Sequence, residues 1–425
     1  MTNLGRDALS NYLRFAVTAA VPFVLTPRML ESFGTYGFGL WTLTHSLLSL
    51  FSLLDLGLSA TLVRYASGKR RTCEINDLLS TILSLYLMVS FVGLIILAAV
   101  SWWVSPFRNT AEAFNLLWIL GLRTVTLGLP FGVLRSALYA RESFLLCNFW
   151  QSALALMYGV TAWIALGWSG SLLTLAWVTL VYGLIEHFGY FALLRRVVSG
   201  FSLRWFSVNR QHLKSIWSFS AASTLSTLAG LILLKTDPLI VAFFLPLSAV
   251  TSYALGLKLA EGVLMLLKQG VNVLTPRFAA LWKDCGPRQT GLLFVRACRL
   301  SFMGAVALSL PILLLTPELL VAWLGRSDEA TVMTTRILVL TAVLSVPQMI
   351  SSAALSMTGH HLFTARAAVL SAVLNVVTSI VLVQLLGVVG VALGTLVTTL
   401  VVDVWIVTRR ACRVLGVNLL ERGKQ

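Results

Sequence analysis

The amino-acid sequence predicts an all-α, polytopic membrane protein with about twelve transmembrane helices, and three observations support this prediction. The 425 residues are 58% hydrophobic and only 11% charged, whereas a soluble domain carries about 25% charged residues. Apolar runs such as 78–103 exceed the ~20 residues that a helix needs to cross a bilayer. The runs lack the ~10-residue alternating strands of a membrane β-barrel. Spanning helices therefore remain the fold that pairs every backbone polar group in lipid.

Twelve apolar segments follow one another from near the N-terminus to residue 408. They are 11–30, 38–62, 78–103, 113–138, 144–167, 171–194, 215–234, 239–267, 292–316, 332–357, 363–386 and 388–408. The fourth contains Arg123 and Pro130, and the eighth contains Lys258 and Glu261, so these two segments fit the hydropathy pattern less well.

The basic residues predict how the chain is oriented. If the N-terminus is cytoplasmic, 24 of the 32 Lys and Arg residues lie on the inner side and five on the outer side. Lys and Arg are enriched in cytoplasmic loops, so we expect both termini inside (N-in/C-in). This distribution explains most of the net charge of +16 without nucleic acid.

A basic loop near the middle of the chain divides it into two halves of six spans. We expect an N-terminal lobe over 1–195, a basic cytoplasmic linker over 196–214, a C-terminal lobe over 215–410 and a cytoplasmic tail over 411–425. Because six is even, the two halves share their orientation and form a parallel pseudo-repeat. Transporters of this kind bind substrate between their halves and open to each side in turn.

Charged side chains within or at the ends of the spans mark the candidate site, because a charge at mid-bilayer costs about 2.5–3.5 kcal/mol. The basic ones, which we predict to line a hydrated cavity and bind an anionic headgroup, are Arg14, Arg28, Arg123, Lys235 and Lys258. The acidic ones, which we predict to act in ion coupling or gating, are Asp55, Glu186, Asp237 and Glu261. Arg and Lys suit phosphate because charge-assisted hydrogen bonds replace its lost hydration.

Mutual neutralisation is the alternative role for several of these charges. Lys258 and Glu261 are spaced i and i+3, so they can pair on one helix face. Lys235 and Asp237 can pair in the same way at the membrane interface.

Purely structural roles are the alternative for three further residues. Arg28 can anchor its helix at the interface, Asp55 can cap a local turn, and Glu186 can face water near the inner surface. Arg14 and Arg123 are harder to explain in this way, because no acidic residue lies within one helical turn of either. They are therefore the first candidates for the cavity lining.

The sequence contains no motif of a known enzyme class. It lacks G-x-S-x-G, a P-loop and H-E-x-x-H, and its five cysteines show no metal-ligand spacing. We expect a transporter rather than an enzyme, with no catalytic residue, cofactor or metal site.

The segment Phe51-Ser-Leu-Leu-Asp55-Leu-Gly57-Leu, followed by Arg64-Tyr65-Ala66, resembles the polysaccharide-biosynthesis flippases of the multidrug/oligosaccharidyl-lipid/polysaccharide exporter superfamily. Looser similarities at 34–41, 274–277 and 387–395 extend this resemblance over nearly the whole chain. The resemblance implies two six-helix lobes and a substrate built as an oligosaccharide on polyprenyl diphosphate. It supplies no fixed set of site residues.

These arguments together predict a flippase that moves polyprenyl-diphosphate-linked oligosaccharide repeat units from the inner to the outer leaflet of the bacterial cytoplasmic (inner) membrane. It would work by alternating access in the synthesis of O-antigen, lipopolysaccharide or exopolysaccharide. Its implied partners are the lipid-linked oligosaccharide, membrane lipid, a polysaccharide polymerase and a chain-length regulator, with no nucleic acid.

Two alternatives remain open at this point. A cation-coupled multidrug exporter of the same superfamily would favour an acidic cavity, whereas the buried charges here are mainly basic. A non-transporting scaffold of a polysaccharide synthesis complex would tolerate the loss of every buried charge.

Overall fold

The structure is a computed structural model that describes residues 2–66, 72–198, 200–203 and 235–417, and these residues are helical throughout apart from short connections. The α-helices are α1 (Thr2–Leu50), α2 (Leu58–Ala66), α3 (Thr72–Trp103), α4 (Ser105–Asn109), α5 (Ala111–Leu122), α6 (Leu129–Ala140), α7 (Phe144–Ser169), α8 (Leu172–Val197), α9 (Asp237–Phe244), α10 (Leu247–Leu314), α11 (Thr316–Leu324), α12 (Glu329–Met357), α13 (His361–Leu386), α14 (Val388–Thr398) and α15 (Thr408–Leu415). A 3₁₀ turn covers Phe51–Asp55, and π-helical segments cover Arg123–Gly128 and Thr399–Val407.

The chain forms two compact units, Met1–Leu228 and Ala229–Gln425. In the first unit, a buried apolar core forms around Leu62, Ile82 and Leu138. In the second unit, Phe294 and Ile350 belong to a similar core. The boundary between the units lies in 204–234, a part of the chain outside the described residues, as does most of the predicted linker.

Ten helical stretches of the described residues are long and apolar enough to cross a membrane. They correspond to eleven of the predicted spans, because predicted spans 1 and 2 fall together in the stretch Leu9–Asp55. The predicted span over 215–234 lies outside the described part of the chain. The prediction of an all-helical polytopic membrane protein is therefore confirmed.

Helix α1 changes direction at Gly34, whose φ of 66° and ψ of −173° are not helical. A straight helix of 49 residues would measure about 74 Å, more than twice the ~30 Å hydrocarbon core. The residues before Gly34 follow α7 in parallel, since contacts join Arg14 to Gln151 and Val21 to Gly159.

The residues after Gly34 instead follow α8. Gly37 lies against Leu172 at the start of α8, and His45 shares a cavity lining with Tyr182 further along it. Helices α7 and α8 are antiparallel, because the Trp150 indole donates a hydrogen bond to the backbone carbonyl of Glu186 while the Tyr158 and Thr179 hydroxyls are hydrogen-bonded to each other. The two arms of α1 therefore run in opposite directions, as two separate spans would.

The predicted eighth span, 239–267, is wrong at its start. Helix α9 ends at Phe244, Leu245 is extended, and Pro246 precedes the first residue of α10. A residue before proline is pushed out of the helical region by steric contact with the proline ring. The residues 239–244 therefore belong to α9 together with Asp237, and α10 begins at Leu247.

Candidate functional site

The first unit contains a cavity of about 370 Å³ between its helices. Nine of its eleven lining residues have polar side chains; the eleven are Thr18, His45, Arg123, Arg135, Gln151, Leu154, Ala155, Tyr158, Thr179, Tyr182 and Glu186. Such a lining is unusual for a chain that is otherwise so apolar, because polar side chains in membrane spans are rare and face cavities or one another. The cavity is therefore the candidate site.

Arg123 enters this cavity from a π-helical turn that begins at Arg123 itself. Single π-helical turns within α-helices occur often at functional sites. The carbon stem of Arg123 lies over Gly183 of α8, where an added β-carbon would be only 2.8 Å from the Arg123 Nε. Its NH2 atom lies 3.6 Å from the Glu186 Oε2. Gly183 thus provides the space that lets Arg123 reach Glu186.

A chain of hydrogen bonds connects Arg123 with Arg14. Arg14 NH1 donates to Gln151 Oε1 at 3.0 Å, and Gln151 Nε2 donates to the Tyr190 hydroxyl at 2.6 Å. That hydroxyl donates to Glu186 Oε1 at 3.4 Å, and Glu186 pairs with Arg123. The two arginines that sequence analysis placed first therefore belong to one network. The Glu186 carboxylate connects its two parts.

Sequence analysis missed Gln151, Tyr190, Gly183 and Arg135 as parts of this site. Gln151 could have been identified from the sequence, since an amide side chain inside the apolar segment 144–167 needs a hydrogen-bond partner. Arg135 was only one of the 24 basic residues assigned to the inner side. Nothing in the sequence distinguishes Tyr190 and Gly183, because aromatic residues and glycines are common in membrane helices.

Arg28 is not part of this cavity lining. Its NH1 atom lies 3.3 Å from Glu31 Oε2, and its guanidinium lies 5.8 Å from the Trp163 ring centroid. The side chain also packs against Gly167 of α7. This arrangement matches the interface-anchor alternative for Arg28.

Lys235 and Glu261 form an ion pair in the second unit, with Nζ and Oε1 3.9 Å apart and each side chain about one-third exposed. The alternatives from sequence paired Lys258 with Glu261 and Lys235 with Asp237. Lys258 lies one turn before Glu261 on α10, and Glu261 also contacts Lys235 across the chain.

Asp237 lies in a buried polar cluster of the second unit and is only 5% exposed. Its Oδ2 accepts hydrogen bonds from the Tyr253 hydroxyl at 2.5 Å and the Thr395 hydroxyl at 3.0 Å. Asn375 donates to Thr395 at 3.1 Å. Three buried oxygens have no hydrogen-bond partner among the described residues: Asp237 Oδ1, Asn375 Oδ1 and Ser379 Oγ. Carboxylate, amide and hydroxyl oxygens are the donors that hard cations prefer.

Asp55 ends the 3₁₀ turn and precedes Leu56 and Gly57, which both have positive φ. Its Oδ1 accepts a hydrogen bond from Ser59 Oγ at 2.7 Å and another from the Tyr86 hydroxyl. The carboxylate therefore joins the start of α2 to α3, in agreement with the local capping role considered above.

Residues 28–327 match the profile of the protein family described as polysaccharide biosynthesis protein. A search of curated proteins gives no match.

Solved structures of transporters share the fold. A structure of the lipid II flippase MurJ in an inward closed conformation has a TM-score of 0.73 and 12% identity, over 96% of this chain and 91% of that chain. An inward-facing multidrug resistance MATE transporter of the MOP superfamily has a TM-score of 0.68 and 16% identity, over 95% of each chain. Its outward-facing counterpart has a TM-score of 0.65 and 17% identity, over 97% and 95%. These likenesses establish a fold that is found in transporters.

The family match covers more than half of the chain, and it confirms the resemblance carried by the 51–66 segment. This multi-pass membrane protein therefore belongs to the polysaccharide biosynthesis protein family.

Proposed function

We propose that this protein is a flippase that moves polyprenyl-diphosphate-linked oligosaccharide repeat units from the inner to the outer leaflet of the bacterial cytoplasmic membrane by alternating access. The observation that carries the proposal is the cavity of the first unit, where Arg123 and Arg135 lie among hydroxyl side chains. Family membership supports a saccharide substrate. The fold supports transport rather than catalysis.

The arginines of the cavity have the chemistry that a diphosphate requires. Guanidinium groups bind phosphate oxygens through charge-assisted and often bidentate hydrogen bonds. Arg123 NH2 lies 3.6 Å from Glu186 Oε2, which is beyond hydrogen-bond distance, so this guanidinium nitrogen keeps a donor for a ligand. A volume of about 370 Å³ lies within the ~300–1,000 Å³ range of ligand pockets. It suits a diphosphate with its first sugar, while the polyprenyl chain stays in the bilayer.

The hydroxyl groups of the lining are suited to the sugar. Tyr158 and Thr179 are 3.2 Å apart, and Thr161 and Tyr182 are 2.7 Å apart. Hydroxyls both donate and accept, so these pairs can exchange their mutual bonds for bonds to sugar hydroxyls.

Ion coupling is the second part of the proposal, and Asp237 is its strongest candidate. Glu186 and Glu261 each face a basic side chain, and Asp55 accepts two hydroxyl hydrogen bonds. Asp237 instead keeps a buried oxygen without a partner among the described residues, close to Asn375 and Ser379. A proton or a monovalent cation entering this cluster would neutralise the carboxylate. Transport by Asp237→Asn should therefore lose its dependence on the driving cation gradient.

Complementation tests the proposal. The protein is expressed in a bacterium that lacks its own repeat-unit flippase, and surface polysaccharide is measured for wild type, Arg14→Ala and Arg123→Ala. Arg108→Ala is the control, because Arg108 stacks on Trp102 at 5.4 Å and belongs neither to the cavity lining nor to the network that joins Arg14 to Arg123. We expect polymer with wild type and the control and none with Arg14→Ala or Arg123→Ala. Full polymer with both Arg14→Ala and Arg123→Ala would refute the assignment of the site.

A multidrug exporter is the second candidate, and the fold shared with MATE transporters favours it. Expression in a drug-sensitive strain distinguishes the two functions. Drug resistance without restored polymer would favour export. Normal polymer in the absence of every buried charge would instead favour the scaffold alternative.

A further inference from the structure

The Glu186 carboxylate lies beside the guanidinium to which the proposed function assigns an anionic headgroup. We propose that Glu186 is an internal counter-ion, which holds the anion site of the empty carrier and is displaced when the headgroup binds. This inference rests on the proposed function. It adds a competitor that belongs to the protein itself and that limits how tightly the headgroup is held.

The geometry of the Arg123–Glu186 pair suits exchange. The distance of 3.6 Å is well above the ~2.7–2.9 Å of a strong charge-assisted hydrogen bond. The two side chains are 34% and 24% exposed, so water and solutes can reach the pair. The carboxylate therefore compensates the charge of Arg123 without using up its donors.

The structure also provides a place for the displaced carboxylate. The Tyr190 hydroxyl lies 3.4 Å from the second oxygen of Glu186, and Tyr190 accepts a hydrogen bond from Gln151. A small movement of Glu186 away from Arg123 shortens the bond to Tyr190. This keeps the carboxylate hydrogen-bonded, which matters because burying a charge without a partner is costly.

Displacement would also be transmitted to α1. Gln151 accepts a hydrogen bond from Arg14 of α1 at 3.0 Å through its other amide atom. A stronger hydrogen bond between Tyr190 and Glu186 shifts the Tyr190 hydroxyl, and with it the Gln151 amide that Arg14 contacts. Binding at Arg123 is thereby coupled to the helix that carries the second arginine of the network.

A purely structural role for Glu186 predicts the opposite sign for one measurement. If Glu186 only supports Arg123, a neutral residue at 186 leaves Arg123 without support and weakens anion binding. If Glu186 competes with the anion, the same change strengthens binding. Glu186→Gln keeps the size and the hydrogen-bonding capacity of the side chain, so it separates the two roles.

The experiment measures inorganic pyrophosphate binding to the purified full-length protein in lipid nanodiscs by calorimetry. Wild type is compared with Glu186→Gln and with Glu31→Gln, which removes the carboxylate beside Arg28 outside the cavity. We expect Glu186→Gln to lower Kd about tenfold, which equals about 1.4 kcal/mol, and Glu31→Gln to change Kd less than about twofold. The gain should disappear in the double variant Arg123→Gln/Glu186→Gln.

Unchanged or weaker pyrophosphate binding by a thermally stable Glu186→Gln protein would overturn the counter-ion proposal. Absence of binding in both wild type and Glu186→Gln would overturn it as well, even if complementation succeeds. Tighter binding together with failed complementation by wild type would instead count against the flippase function alone. In complementing cells, Glu186→Gln should reduce surface polysaccharide, because a more tightly held headgroup is released more slowly.

Discussion

The substitution Gly183→Ala tests the cavity without changing any charge. A β-carbon at residue 183 would lie 2.8 Å from Arg123 Nε and 3.0 Å from its Cγ. Ordinary contact begins near 3.4 Å, so the middle of the Arg123 side chain must retreat by about 0.6 Å. Because the guanidinium of Arg123 is already 3.6 Å from Glu186, this retreat breaks the ion pair and moves Arg123 within the cavity.

The effect on stability should be small because two contributions oppose each other. Alanine in place of glycine inside a helix stabilises by about 1 kcal/mol. Loss of a partly exposed ion pair costs about 0.2–1 kcal/mol. We therefore expect Tm to change by less than about 3 °C. Loss of about 1 kcal/mol from a substrate contact corresponds to roughly a fivefold effect, so surface polysaccharide in complemented cells should fall about fivefold or more.

Gly132→Ala is the matched control, since Gly132 also lies in a helix of the first unit and no atom lies within 4 Å of a β-carbon placed there. The assay compares surface polysaccharide at equal amounts of membrane-inserted protein. Wild-type polymer with Gly183→Ala would refute the requirement for the observed Arg123 position. Equal losses in both variants would mean that any added methyl group in these helices impairs the protein.

Three further predictions concern thermal unfolding of the purified protein. Gly390→Ala should destabilise it by about 3 kcal/mol, because the β-carbon would lie 2.0 Å from a backbone carbonyl oxygen of α13. Gly304→Ala, whose β-carbon meets no atom within 4 Å, should not. Equal Tm values for the two variants would contradict this packing. Gly34→Ala should cost about 1–3 kcal/mol, since a φ of 66° with a ψ of −173° suits glycine alone, and an unchanged Tm would argue against the reversal at this residue. Tyr253→Phe should cost about 1.5–3 kcal/mol, because it removes one of the two hydrogen bonds to the buried Asp237 carboxylate; the absence of a stability loss would indicate that the carboxylate is neutral or otherwise satisfied.

Helix positions were predictable because hydropathy is a local property. The predicted spans 78–103 and 363–386 correspond to the spans Glu74–Trp103 and His361–Leu386. The predicted start of the eighth span was wrong because apolar residues continue across Leu245 and Pro246. Proline ended the helix there although hydropathy did not change.

The candidate site was predicted only in part. Arg14 and Arg123 were singled out because the cost of burying a charge is visible in sequence, and both belong to the observed network. The partner of Arg123 was not predictable, since Glu186 lies on another helix and was considered for ion coupling or gating, or alternatively as a water-facing residue. Pairing of Lys235 with Glu261 was missed for the same reason, because sequence spacing shows only partners on one helix.

The sequence by itself determined that this protein is a multi-pass helical membrane protein and which charges require an explanation. Both conclusions follow because the free energy of moving a segment of about twenty residues into lipid is the sum of contributions from its individual residues. Only the tertiary structure decided that Arg123 meets Glu186 over Gly183, and that Asp237 shares a buried cluster with Asn375. These contacts depend on the rotation of each helix and on a π-helical turn, and a shift of one residue would move a side chain by about 100° around its helix.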